Sequence, residues 1–489
     1  MEKAFRLILG GLVLCTHLVV AAPDQSTTQA CTDISDALPG KVLTPSLLAV
    51  EYAYETQQYW TTIQRSTDPA CIVQPADATD VSVVITILLK YPTVKLATRS
   101  GGHDPNADHN SIQDGVLITM TDMVGATYDP STGLAYVKPG GHWNDVISEL
   151  EASGVTMLGG RLGIVGVGGL LLGGGLSFLS AQHGLAADNI IGWETIMANG
   201  SIVNVDSKAQ PDLAKALRGS GSQFGIVTTF TVQAYPIGDI WGGFCVYTPD
   251  QDEALYAALH NFVANGAQDP KAAIIFTDLI LADSTTSKII YYFYDAPTPP
   301  ASGPFADFFK IVNPLCVPKT QKYSELTYTV PFIPTRPQMY SDIRAKWVEI
   351  TKPFLTVLRP TAQFSVDFQP FPSVIGQNSE SKGGNAYGFS SSDANLIFLE
   401  IQGSWALPTD DALAYSLSVQ LTDWLDDQVP QWLDEAGMDQ DIYRPLYLND
   451  AAGDQPVLQS YKDYAELKAL QQQYDPNGLW SKRAGGFKF

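Results

Sequence analysis

Four stretches of the chain carry residue types whose spacing could do chemistry. The first is Arg99-Ser100-Gly101-Gly102-His103-Asp104, at the end of the apolar run 94–98, which reads as a strand. Paired glycines reach positive φ and carry no Cβ. Successive backbone N–H groups can therefore converge on an anion, with Ser100 adding a hydroxyl donor and His103 standing beside the bound group. The second is a glycine-rich stretch opening at Gly159-Gly160 and running through Gly166, Gly168, Gly169, Gly173 and Gly174, more glycine than core packing alone explains. The third is Asn395 to Gly403, whose alternation puts Phe398, Glu400 and Gln402 on one face. Two polar groups on the face of so apolar a strand point either to solvent or into a cavity. The fourth is Tyr447-Leu448-Asn449-Asp450, where Tyr447 and Asn449 fall on one side if the segment is extended.

These residues need a frame. Residues 75–91 have helical spacing, with Val81, Val84, Ile85 and Leu88 in one stripe, and lead into the strand before the first glycine pair, a strand-helix-strand unit. Residues 116–119 and 135–138 read as antiparallel neighbours on either side of the turn 129–133. Residues 143–153 read as an amphipathic helix ending at Gly154, 195–205 as a hairpin around Asn199-Gly200, and 212–219 as a short helix. Residues 45–63 are helix-like, and 461–473 predict another helix. Beyond Pro236 aromatic strands and amphipathic helices with many prolines mark a change of domain.

The 489 residues are 45% hydrophobic and 16% charged, the composition of a globular protein large enough for two or three domains. Fifty-one Asp and Glu against 29 Lys and Arg give a net charge of −22, which excludes nucleic acid and anionic membrane surfaces as partners. Lys3 and Arg6 precede an apolar segment closed by Ala21-Ala22, the order of a secretory signal peptide over 1–22, too short for a membrane anchor. A secreted or vesicular location follows as an expectation. Asn199-Gly200-Ser201 is then a glycosylation sequon as well as a hairpin turn. Without the leader, Cys31, Cys71, Cys245 and Cys316 remain. An even count in an oxidising compartment favours disulfides, and spacing leaves Cys245 and Cys316 either paired or as free thiols.

Taken together, the Arg-Ser-Gly-Gly-His motif at 99–103 and the run Gly166 to Ser177, followed by Gly184-Leu185-Ala186-Ala187-Asp188-Asn189, resemble flavoproteins of the vanillyl-alcohol oxidase and p-cresol methylhydroxylase type, in the fungal berberine-bridge-enzyme-like branch. The resemblance runs from about Cys31 to the C-terminus. It implies an α+β chain: an N-terminal segment (23–66), a two-subdomain FAD-binding domain (67–238), a substrate domain with an antiparallel sheet backed by helices (239–440), and a C-terminal segment (441–489) returning to the FAD domain. It implies FAD joined covalently through its 8α carbon to His103. Arg99, Ser100, Gly101, Gly102, Asp104, Gly160, Gly166, Gly168, Gly169, Gly173, Gly174, Gly225, Ile226 and Asn449 are implied around the cofactor, and no metal. It implies a Cys31–Cys71 disulfide, and it tilts Glu400 and Gln402 toward a cavity. Some relatives attach the flavin a second time through a cysteine where Leu162 stands here, so a single attachment is implied. The segment Gly221 to Thr228 departs from the family pattern, with Lys215 in place of Trp and Ser220 and Ser222 in place of glycines.

Flavin oxidation of an alcohol or amine requires a hydride acceptor and a base for the accompanying proton. Tyr447 is the first candidate base, assisted by Glu400 and Gln402. With an ordinary pKa near 10, Tyr447 needs a nearby positive group or donor to act at neutral pH. His142 and His183 are the alternatives. The expected protein is a monomeric FAD-dependent oxidase acting on a small organic molecule, a secondary-metabolite alcohol or a substrate undergoing oxidative cyclisation, with oxygen as acceptor. Oxidation of an oligosaccharide at C1, and a flavin-bound cyclase without net redox turnover, are the competing expectations.

Overall fold

The computed structural model describes residues 23–46, 48–281, 285–311, 324–356 and 358–489. The leader over 1–22 and Cys316 lie outside the described residues. Among the described residues no helix is long and apolar enough to cross a membrane.

A four-stranded sheet, in the order β1-β2-β4-β3, is built from β1 (Val42–Leu43), β2 (Cys71–Val73), β3 (Leu96–Arg99) and β4 (Val116–Thr119). The helix Ala78–Leu88 connects β2 to β3. Asp77 caps it, accepting from the N–H groups of Thr79 (2.8 Å) and Asp80 (3.0 Å), and its stripe Val81, Val84, Ile85 and Leu88 is buried. Cys31, on the helix Gln25–Ala37, is bonded to Cys71 on β2. The helix-like region 45–63 is broken into two short helices, Val50–Glu55 and Thr62–Arg65, which wrap the base of the first glycine turn.

A second sheet, in the order β5-β6-β10-β8-β9, comprises β5 (Ala126–Asp129), β6 (Leu134–Val137), β8 (Ile190–Ile196), β9 (Ile202–Asp206) and β10 (Ile226–Gln233). Beside it, β7 (Val155–Thr156) and β11 (Tyr235–Pro236) form a two-stranded ribbon. The antiparallel pairing of 116–119 with 135–138 does not occur. β4 is central and parallel to both β2 and β3, and β6 finds its hairpin partner in β5 across the turn 129–133. Four consecutive buried residues in β4 are the pattern of a parallel strand covered on both faces.

The third sheet has six strands in the order β12-β14-β13-β16-β17-β15: β12 (Trp241–Tyr247), β13 (Ala272–Leu281), β14 (Thr286–Tyr294), β15 (Ser324–Pro331), β16 (Gln363–Phe371) and β17 (Leu396–Ser404), every pair antiparallel. One face carries Phe276, Ile290, Phe364, Val366, Phe368, Ile397, Leu399 and Ile401. This face packs on the helices Asp252–Asn265, Met339–Thr351 and Asp411–Glu435 to form the largest core. The other face, which carries Phe398, Glu400 and Gln402, turns toward the glycine-rich segments. The fold is therefore the expected α+β arrangement. The C-terminal segment returns to the first sheet, where Ala484 bridges to Leu96.

Candidate active site

The two glycine motifs meet as one knot. At the end of β3 the Arg99 side chain, 2% exposed, turns into the domain and ion-pairs with Glu55. It also donates to the Glu55 carbonyl (2.6 Å) and lies over the Tyr59 ring. Arg99 thus anchors the base of the turn. The Ser100 hydroxyl donates to the Pro139 carbonyl (2.5 Å) and accepts from the N–H of Gly168 (3.0 Å), tying one motif to the other. A Cβ on Gly101 would fall on the Cα of Gly166, and one on Gly102, at φ +69°, on the Gln58 carbonyl. The glycine pair is demanded first by this backbone-to-backbone contact. Asp104 accepts from the N–H of Asn106 (2.8 Å) and lies against His109 Nδ1 (2.9 Å), closing the loop beyond His103.

The His103 ring stacks on Trp60, with centroids 4.7 Å apart, and its Nε2 is buried without a hydrogen-bond partner. Burial pushes the imidazole down to about 4 against the pull of Asp104, so the ring is neutral across the physiological range. His142 caps the helix Trp143–Glu151, where its N–H donates to Asp145 (3.0 Å). His183 stacks on Tyr235 at 3.9 Å, and burial holds it near 4 as well.

Around the second motif, Gly160 lies so close to the Trp143 indole that a Cβ would collide with it, and Gly173 is packed as tightly on the Asn449 amide. Gly174 and Gly225 have positive φ (+111° and +152°), and a Cβ on Gly225 would meet Thr195 and the Ile196 carbonyl. Ile226 begins β10 opposite Ile196 and is buried. At Gly169, by contrast, a Cβ would meet nothing within 4 Å. Gln223, 1% exposed, has both ends of its amide without a partner, and the Ser111 hydroxyl is buried and unpaired too. A neutral imidazole, open space at Gly169 and these buried unsatisfied donors and acceptors fit a large, polar, uncharged-ring cofactor such as FAD. His103, Gln223 two residues before Gly225, and the backbone of the two glycine motifs are the groups that would hold it.

The C-terminal segment reaches the knot differently from the sequence expectation. Tyr447 is extended, but Leu448–Asp450 form a 3₁₀ turn, and that turn brings both side chains to the glycine segment. Asn449 accepts from the N–H of Gly175 (3.0 Å), and the Tyr447 hydroxyl accepts from the N–H of Leu176 (2.5 Å). The Tyr447 ring stacks on Phe398 of β17, centroids 5.0 Å apart at 5°. A donor and a cation, Arg161, are present as a tyrosine base would need. Burial outweighs them, with the Asp450 charge adding to it, and the hydroxyl is held well above its ordinary pKa.

On the inner face of the third sheet the register aligns Thr277, Asp367, Glu400 and Thr327 in one row across four strands. One step along, Ser365 pairs with Gln402 and Gln369 with Phe398. Gln369 is fully buried. It donates to Asp450 (2.7 Å) and accepts from the Arg161 guanidinium. Burial, then the Glu400 charge, push the Asp450 carboxyl up to about 8, opposed by Arg161. Asp367 is pushed up to about 7, chiefly by burial. Asp450 thus keeps its proton at neutral pH under the charge of Glu400, and Gln369, itself held by Arg161, fixes the Asp450 carboxyl. Sequence reasoning reached Glu400, Gln402 and Tyr447 but missed Arg161, Asp367, Gln369 and Asp450. The signal for two of them was present: Ser365, Asp367 and Gln369 alternate with Phe364, Val366 and Phe368, as the polar residues of β17 do.

Comparison with known proteins agrees with this geometry. A family described as "FAD binding domain" matches residues 69–206. An uncharacterised FAD-linked oxidoreductase of Arthroderma benhamiae is 32% identical, over 90% of this chain and 91% of its own. The FAD-dependent monooxygenase drtC of Aspergillus calidoustus is 30% identical, over 95% and 91%. Among solved structures, berberine bridge enzyme from Eschscholzia californica superposes with a TM-score of 0.71 at 16% identity, covering 93% of this chain and 98% of that one. Xylooligosaccharide oxidase from Myceliophthora thermophila does so with a TM-score of 0.71 at 19% identity, covering 95% and 100%.

Proposed function

The chain belongs to the FAD-linked oxidoreductases of the vanillyl-alcohol oxidase and p-cresol methylhydroxylase type, berberine-bridge-enzyme-like branch, and on that premise we propose that it is an oxidase of a small organic molecule in which Glu400 takes the substrate proton. The observation that carries this reading is the Glu400–Asp450 pair facing the glycine knot. Of two carboxyls in one desolvated site, Asp450 keeps its proton, and Glu400, whose charge helps to keep it there, is the acceptor. Gln369, held by Arg161, fixes Asp450. The Tyr447 hydroxyl, protonated and bonded to Leu176 N–H, positions the glycine segment and is not the base. When bound, FAD supplies the hydride acceptor.

His103 is the attachment point. Its ring is neutral and therefore nucleophilic, its Nε2 has no competing partner, and the Trp60 stack fixes its orientation. The residue at the second attachment position is Leu162, which has no sulfur and is 44% exposed, so a single linkage is expected. Reoxidation by oxygen yields hydrogen peroxide, and the leader over 1–22 takes the enzyme into the secretory pathway.

Several relatives are named monooxygenases, which gives a second reading in which an oxygen atom enters the product. Anaerobic mixing with an alcohol and amine panel, followed by admission of ¹⁸O₂, separates the two. An oxidase bleaches its flavin without oxygen and then releases peroxide stoichiometrically. A flavin that the panel leaves oxidised without oxygen and that bleaches only when a nicotinamide reductant is added, or ¹⁸O label in the product in place of released peroxide, refutes the oxidase reading.

A further inference from the structure

The inner face of the third sheet changes character halfway across. On β15, β16 and β17 it is chiefly polar, with Ser365, Asp367, Gln369, Glu400 and Gln402 among its residues. On β12, β13 and β14 it is apolar. The register carries the row Thr327, Glu400, Asp367 and Thr277 on through Ile289 and Val246, so one line of side chains crosses all six strands. Thr277 marks the seam, its hydroxyl turned to Asp367. Beside that line Tyr291 stands opposite both Ile275 and Phe244, and the Phe244 and Tyr291 rings touch with centroids 5.4 Å apart at 39°. Leu279 lies on its other side, opposite Ser365.

Alternation and one ring stack fix which way this wall looks. Phe293, two residues on from Tyr291, stacks on Phe178 just beyond the glycine segment (5.1 Å, 5°), so Tyr291 and Ile289 share the face turned to the glycine knot. Among the described residues Phe244, Val246, Ile275, Leu279, Ile289 and Tyr291 join none of the hydrophobic cores, whereas Cys245, Phe276, Ile280, Ile290 and Tyr292 between them pack into the largest core from the opposite face. All but Ile275 are half-buried. The charges of these strands also lie on the opposite face, where Asp278 and Lys288 pair at 3.2 Å with no exposure. A single half-open apolar residue needs no explanation, but a contiguous apolar wall over three strands, continuous with a polar row, has the make-up of a small-molecule site.

We propose that Phe244, Tyr291, Ile289 and their neighbours are the specificity surface of the site, which takes the hydrocarbon or aryl body of an amphipathic alcohol or amine while the reacting group lies at the polar half. An oligosaccharide would set its hydroxyls against Val246, Leu279 and Ile289, side chains that offer no hydrogen bond. The inference rests on the oxidase reading only in taking this sheet face as the substrate side.

The test uses the oxidised holoenzyme and three ligands with no oxidisable carbinol or free anomeric carbon: 2-phenylpropan-2-ol, its 4-butyl derivative and methyl β-cellobioside. Each is titrated by calorimetry and by the shift of the flavin absorbance, so binding is read without turnover. Wild type should bind the butyl ligand about tenfold or more tighter than its parent, the gain from roughly two fully buried methylene groups, and the cellobioside most weakly. In Y291S and I289T, matched to wild type in flavin content and melting temperature, the butyl gain should shrink to about threefold or less. Y291F keeps the ring and should keep the gain. Equal affinity for the butyl ligand and its parent, tightest binding of the cellobioside, or a gain unchanged in both Y291S and I289T overturns the proposal. A gain lost as fully in Y291F as in Y291S, or butyl binding that leaves the flavin band unshifted, overturns it too. The oxidase reading fails on a different result, a flavin left unbleached by the alcohol and amine panel without oxygen, which these three ligands do not probe.

Discussion

Replacing Tyr447 by Phe separates the two roles that a buried tyrosine beside a flavin could have. The hydroxyl is the acceptor for the Leu176 N–H at 2.5 Å, in a place where the residue is 2% exposed. Phe leaves that N–H without its partner, a loss of about 1–3 kcal/mol in stability, while the ring keeps its stack on Phe398. Because burial holds the hydroxyl protonated, removing it takes away no base. Anaerobic flavin reduction should slow by less than about tenfold, the part due to a looser glycine segment. Glu400→Gln, by contrast, removes the acceptor itself and should slow reduction by about 10²–10⁴-fold, equivalent to about 2.7–5.5 kcal/mol of barrier. The assay is stopped-flow bleaching of the flavin band with whichever panel member reduces wild type, paired with thermal melts of all three proteins. The pattern expected is a less stable, nearly fully active Y447F beside a stable, slow E400Q. A Y447F that melts like wild type but reduces its flavin more than about a hundredfold more slowly, beside a normal E400Q, would return the base role to Tyr447 and refute the assignment.

The remaining expectations are more direct. Wild-type protein precipitated by acid should stay yellow, and His103→Ala should release all its flavin to the supernatant; a colourless wild-type pellet refutes covalent attachment at His103. Gly101→Ala puts a methyl group on the Cα of Gly166 and should part the two glycine motifs, giving protein that purifies with little or no flavin; full flavin loading would show that the knot yields easily. Asp450 and Asp367 hold their protons up to about 8 and about 7, whereas the unfolded chain loses them near the ordinary 3.8. Between those values the folded state binds more protons, so these two groups make stability fall as pH rises from about 4 to about 8. Asp450→Asn should therefore gain stability over wild type at about pH 8 and almost none at about pH 4, as read from urea midpoints; parallel pH profiles refute the assignment.

What could be read from the sequence was whatever a single segment decides by itself. The helix Ala78–Leu88 follows from its own stripe, and the sharing of one face of β17 by Phe398, Glu400 and Gln402 from their alternation, although alternation alone left that face turned either to solvent or to a cavity. Where two distant segments decide jointly, local pattern fell short. Residues 116–119 show only that a strand is buried on both faces; that its neighbours are β2 and β3, in parallel, depends on the chain returning through the helix before β3. Gly101 and Gly166 were recognisable as glycines that must be glycine, yet their first reason is each other rather than a ligand. Ionisation is the extreme case. Tyr447 looked like a base because a donor was conceivable; a donor and a cation are there, and the hydroxyl is still held protonated because burial outweighs them. Asp450 in turn keeps its proton partly because Glu400 stands near it, on a strand from another part of the chain. A residue's identity is written locally, but its charge belongs to the assembled site, so the choice of base in this fold turns on how the third sheet closes over the glycine knot.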